Sequence, residues 1–331
     1  MQAAAYADDT NADIKRGDPR VTFMEAPNDE QILWPEEPPS PCHTLGLVGN
    51  GFDLSLGYAS SYSHFRTFFR DNELRHLEHG GAVYDIWAQL ERIAGENWCD
   101  FEACLTQVEL PGDVAEMEHP DRGDLSEHDA LAAAGHDYAT EFIRSVATAF
   151  SDWVATLTPN APKPSRHASH LVRTSDVIVT FNYTDSLTEV FEVDEKKVLH
   201  IHGTARGRAR PYFGGPAPDS PAWSRVSGSS GLTGAIREQA LGALLDGLTK
   251  RPRTDLLDRL LINCPGNLRV VSSFGFSFGE ADLPYVRHLI ANFCGRDTVW
   301  INHVRNAESA EHFYDLMDRF SFPGIAATCQ F

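Results

Sequence analysis

Short, almost unbroken apolar runs recur along this chain, at residues 45–48, 176–181, 198–201, 268–276 and 298–301, with 324–329 as a sixth candidate. Runs that are apolar at both odd and even positions predict strands covered on both faces, as in a parallel sheet. Helical patterns fall between the later runs, at 280–294 and 306–320. This alternation predicts a doubly wound, mostly parallel α/β sheet. A long helical stretch separates the first two strands: apolar residues 131, 138, 142, 146, 150, 153 and 157 recur at helical spacing. Ser126, with Asp129 three residues later, predicts its start. Residues 65–109 also read as helical, broken near Gly80 and Gly81. A helical insert is therefore expected at about 61–170. A second insert is expected at about 204–265: a Gly-, Pro-, Ser- and Arg-rich loop over 206–230, then helices near 233–249 and 253–263. No internal repeat is visible.

Composition narrows the class of protein. With 331 residues, 42% hydrophobic and 23% charged, the chain reads as soluble and globular. Its formal net charge of −19 opposes a general nucleic-acid or membrane-surface binder, whose affinity rests on Lys and Arg. Residues 1–42 form an acidic arm with prolines at 19, 27, 35, 38, 39 and 41, expected to be extended or flexible; residues 43–331 are expected to form one domain. No run reaches the ~20 apolar residues of a membrane span, and no basic-then-apolar start is present. The expected location is cytoplasmic. The six cysteines form no CxxC pair and read as small buried hydrophobes, so no metal is expected.

Candidate chemistry lies where the strands stop. The first runs into Gly49-Asn50-Gly51, then Asp53; the second into Asn182, Tyr183 and Thr184; the third into His202 and Gly203; the fourth into Ser277, with Asp282 nearby. Parallel strands place all these ends on one edge, where ligands bind. Glycines in the first loop fit either a backbone cradle for an anion or a tight turn used for steric reasons. Asp53 fits either a sugar-facing carboxylate or a cap on the following helix. His202 fits either a general base or a residue that only steadies its turn. Arg206, Arg208 and Arg210 fit solvated loop positions better than a phosphate site. Glu102 fits a salt bridge or first-turn role better than the crevice. His200 reads as a packed strand residue. His200 with His202, and His76 with His79, have metal-compatible spacings but no third ligand.

These segments carry a resemblance. GNGFDLSLGYASSYSHF, NWCDFEACL, VTFNYTDSLTEVF, HIHGT and FGFSFGEADLPYV resemble, in order, the motifs of the AbiH family of phage abortive-infection proteins, over about residues 44–305. Where that family commonly has Gly-His-Ser-Leu, this chain has Gly275-Phe276-Ser277-Phe278. AbiH proteins are in turn distantly similar to sirtuin-like NAD-binding domains. The resemblance implies a Rossmann-like, sirtuin- or DHS-like nucleotide-binding domain and NAD+ as substrate or ligand. It implies catalytic roles for Asn182 and His202; Asp53, as a carboxylate able to stabilise positive charge developing at C1′, is expected to join them. Cofactor contacts follow from the motifs at Gly49, Asn50, Gly51, Phe52 and Arg66. Tyr183, Thr184, Gly275, Ser277 and Asp282 complete that expected set. The CxxC pairs of the sirtuin zinc module are missing after Gly203, which disfavours protein deacylation and leaves NAD+ hydrolysis. A non-enzymatic NAD or ADP-ribose sensor is the alternative, and a nuclease is disfavoured by charge. Expected partners are a small nucleotide and, by analogy, further copies of the chain or another defence protein.

Overall fold

The computed structural model describes residues 42–74, 82–95, 98, 101–109, 125–160, 163–204, 211–216, 241–242, 244–262 and 266–331. The acidic arm, Gly80 and Gly81, His76, His79, Arg206, Arg208 and Arg210 lie outside these residues.

Six strands form one sheet: β1 (Thr44–Val48), β2 (Val177–Thr180), β3 (Val198–His200), β6 (Leu268–Phe274), β7 (Cys294–Val304) and β8 (Ile325–Gln330). Their order is β3-β2-β1-β6-β7-β8, and each neighbouring pair is parallel. All six apolar runs are therefore strands. β7 is longer than its run at both ends, taking in residues 294–297 before it and 302–304 after it. β6 stops at Phe274, where Gly275 turns the chain at φ 62°. A second, two-stranded parallel pair joins β4 (Gly215–Pro216) to β5 (Thr249–Lys250).

Helices cover both faces, which is why the strands are apolar at successive positions. On one face, Val48, Ile178, Val198 and Phe274 join a core with the helices that follow β1. These are α1 (Asn50–Ser55), α2 (Tyr62–Asn72), α3 (Ala82–Ala94), α4 (Phe101–Leu105) and α5 (Leu125–Thr156). α6 (Arg166–Thr174) and α7 (Ser186–Phe191) complete that layer. On the other face, Leu45, Leu47, Val179, Val271 and Trp300 pack with α8 (Thr254–Leu261), α9 (Leu283–Phe293) and α10 (Ala307–Arg319).

The expected helical region between β1 and β2 is held by aromatic side chains. Phe69 stacks on Trp87 at 4.1 Å, Phe65 meets Phe150 edge-on at 5.2 Å, and Phe150 stacks on Phe213 at 4.3 Å. α5 begins at Leu125, and its residues Phe142, Val146, Phe150 and Trp153 are buried, as their spacing requires. No described helix is long and apolar enough to cross a membrane.

Candidate active site

The loop after β1 and the loop after β6 interlock through their backbones. Gly49 N–H donates to Phe274 O at 3.1 Å and Gly51 N–H to Gly275 O at 2.8 Å. Phe52 N–H turns back to Gly49 O at 2.9 Å. A Cβ at Gly275 would lie 2.1 Å from Phe52 N, and one at Gly49 would lie 2.7 Å from Gly275 O. The glycines thus permit one loop to lie on the other, and three N–H groups expected to cradle an anion are already used. Phe52 is core, packed against Phe274 and Phe191.

Beside this junction is a cavity of about 100 Å3. It lies at the carboxyl end of β1, the strand from which the sheet winds outward in both directions. Gly49, Asn50 and Asp53 come from the first loop and helix; Asn182, Tyr183 and Thr184 follow β2; His202 follows β3. Phe276, Ser277 and Asp282 follow β6, and Phe150 and Trp153 of α5 supply an apolar wall. A larger cleft of about 510 Å3 adjoins it and shares Asn50, Tyr62, Phe276 and Ser277. That cleft reaches Arg305 and His312 and is also bordered by Gly51 and Gly275.

Asp53 is almost fully buried. Thr184 Oγ1 donates to one carboxylate oxygen at 2.5 Å and Ser186 Oγ to the other at 2.6 Å. The side chain therefore ties the β1 loop to the β2 loop. The N-cap position of α1 is Gly49, which makes no side-chain cap. Burial raises the Asp53 pKa to about 6, against the hydrogen bonds from Ser186 and Thr184 that lower it.

A chain of buried charges crosses the same cavity. Lys250 Nζ lies 3.3 Å from Glu102 Oε1 and 3.4 Å from Asp282 Oδ1. His202 Nε2 lies 3.2 Å from that same Asp282 oxygen. Burial alone would depress the lysine, but Asp282 and Glu102 together hold it above its ordinary value. Burial would raise Asp282; the charge of Lys250 and the His202 hydrogen bond more than offset this. Burial, then the lysine's charge, lower the His202 pKa, so the ring is neutral at pH 7. An ionised Asp282 takes the proton-bearing nitrogen, Nε2, and leaves Nδ1 as an acceptor. That Nδ1 is buried without a partner. Asn182 is in the same position: its Nδ2 donates to Gly49 O at 3.1 Å, while its Oδ1 has no donor.

Two expected site residues lie elsewhere. Arg66 does not line either cavity; its guanidinium forks onto both oxygens of Glu91 and lies 5.9 Å from the Trp98 ring. Phe52 serves packing alone. His200 is a strand residue with its pKa lowered to about 4 by burial. Glu102, read as a salt-bridge residue, is one, and it borders the cavity as well. Sequence reasoning missed Lys250 and Tyr62. Lysines are rarely buried unless paired, and nothing in the stretch around residue 250 announces its distant partners.

A family model described as bacteriophage abortive infection AbiH matches residues 45–303. The chain belongs to the AbiH family. The family description points to a role in phage abortive infection, and the match contains every residue named for the smaller cavity. At the position where AbiH proteins commonly have histidine, Phe276 packs on Phe181 at 4.5 Å and Phe278 at 4.8 Å, closing the cavity with an apolar surface. No curated protein and no solved structure gives a match.

Proposed function

We propose that this AbiH protein binds NAD+ at the carboxyl edge of its sheet and cleaves the nicotinamide–ribose bond, the toxic step of an abortive response. The observation that carries this reading is the pair of buried acceptors without donors, Asn182 Oδ1 and His202 Nδ1, on one cavity. Buried polar groups are nearly always paired, so two orphans of the same sign point to a ligand rich in donors. Ribose hydroxyls and a carboxamide supply them. A sheet winding outward on both sides of β1 is the arrangement of dinucleotide-binding folds, which supports a Rossmann-like, sirtuin-like assignment.

Charge supports the orientation. Asp53, Glu102 and Asp282 outnumber Lys250, which suits the cationic pyridinium and opposes a pyrophosphate. In this reading the pyrophosphate occupies the adjoining cleft, toward Arg305. The bond from nicotinamide nitrogen to C1′ breaks with its electron pair leaving on nicotinamide. The positive charge then developing at C1′ is stabilised by the carboxylates. Water adds to C1′ and gives its proton to His202 Nδ1, while Asp282 balances the imidazolium. The products are nicotinamide, ADP-ribose and a proton.

The test is incubation with NAD+ and mass spectrometry of the products. The wild type should release nicotinamide and ADP-ribose. His202→Ala and Asn182→Ala should lose about 100-fold or more in rate with unchanged circular dichroism. Neither cleavage nor binding under any activating condition, including extract of phage-infected cells, would sink the reading. The small cavity favours one second reading, a nucleotide sensor: loading it demands movement that an assembly can sense. Tight binding without turnover would support that alternative.

A further inference from the structure

Away from this cavity, three metal-ligating side chains converge from distant parts of the chain. β7 and β8 are paired so that His303 and Cys329 are register partners. Register partners on parallel strands project from the same face of the sheet. Helix α6 packs on the neighbouring strands β1 and β6 and brings His167, in its first turn, to that pair. His167 Nδ1 lies 3.6 Å from Cys329 Sγ, and the rings of His167 and His303 are 5.4 Å apart. One ligand atom from each residue lies within 4.8 Å of the other two. His303 is mostly buried; its Nε2 is 3.3 Å from Ser272 Oγ, and its Nδ1 has no partner.

We propose that His167, His303 and Cys329 form a site for a single Zn2+-class ion. Two imidazoles and a thiolate are a borderline-soft donor set of the kind that zinc takes. Zn–N bonds of about 2.0–2.1 Å and Zn–S bonds of about 2.3 Å at the tetrahedral angle place nitrogen and sulfur about 3.6 Å apart. The His167–Cys329 separation already has that value. Drawing in His303 requires about 1 Å of side-chain movement. Ser272 then has the place of the outer hydrogen bond that fixes a ligating histidine and leaves the other nitrogen for the metal.

The three side chains border a cavity of about 900 Å3, from which water would complete the tetrahedron. Arg166 and Arg173 also border this cavity. Both arginines are exposed, so their charge opposes a cation only weakly. The ion joins the edge strand β8 to helix α6, which fastens the last strand to the body. No spacing rule reveals the site, because its ligands come from three separate elements.

The test uses the untagged full chain, stripped with chelator and titrated with Zn2+ against a chromophoric competitor, then with Co2+. One equivalent of Zn2+ should bind, and the Co2+ form should show a thiolate charge-transfer band. Cys329→Ser should abolish the band, and His303→Gln should weaken Zn2+ binding about tenfold or more. Cys294→Ala, a buried cysteine outside the cluster, should retain both properties. Cys329 is only partly buried, so the serine variant should keep the wild-type circular dichroism. Failure of the wild type to take up either ion, or an unchanged band in Cys329→Ser, overturns the site. So does unchanged Zn2+ affinity in His303→Gln.

Discussion

At Asp53, hydrogen bonding and burial pull in opposite directions. Two hydroxyls hold the carboxylate, yet its pKa stands at about 6 instead of 3.8 because burial outweighs them. The folded state therefore keeps a proton that the unfolded chain loses as pH rises from about 4 to about 6. Stability falls across that window, and the loss is complete above it. A difference of about two in pKa corresponds to about 3 kcal/mol at most. Asp53→Asn keeps an acceptor and adds an amide donor that rotating hydroxyls can accept. Its melting temperature should match the wild type near pH 4 and exceed it above pH 6. A lower melting temperature at pH 7.5 would mean that the ionised carboxylate is a net tie between the loops. Asp53, Asn182 and His202 were legible because each follows an apolar run. What the sequence left open was the role of Asp53, since capping and loop bridging use the same residue type at the same position. Arg66 was misplaced by a motif likeness: its charge is consumed by Glu91, on another helix.

Among elements, the smallest has a disproportionate effect. The β4–β5 pair is two residues wide, yet it delivers Lys250 between Glu102 of α4 and Asp282 ahead of α9. Removing one partner of a buried ion pair leaves uncompensated charge and costs about 3–5 kcal/mol. Glu102 and Asp282 keep some exposure, so Lys250→Met should cost about 3 kcal/mol in urea unfolding, the lower end of that range. Adding Glu102→Gln should recover part of the loss. Equal stability of Lys250→Met and the wild type would show that the network is solvated. Long elements were readable because β-runs and α5 repeat their apolar signal many times. β4 and β5 were not: two-residue strands have no period to detect.

Over the whole molecule, sheet and helices could be read from alternation, because covering both faces of a sheet forces its strands to be apolar throughout. The way the loops close could not. Interlocking glycines on one side and Phe150, Trp153 and Phe276 on another leave a cavity of about 100 Å3. Pockets that bury drug-sized ligands measure ~300–1,000 Å3, so under the proposed activity the nicotinamide end of the dinucleotide enters this cavity only after its walls part, while the pyrophosphate stays in the adjoining cleft. Opening then precedes loading. In stopped-flow mixing with ADP-ribose, the observed rate should climb with concentration to a plateau equal to the opening rate. A rise that stays linear would mean that the entrance is already wide. Under the proposed activity, a slow entrance makes dormancy a matter of time rather than of affinity. A resting cell would keep its NAD+ because the cavity seldom opens, and a trigger would need only to hasten that opening, leaving every chemical group where it stands.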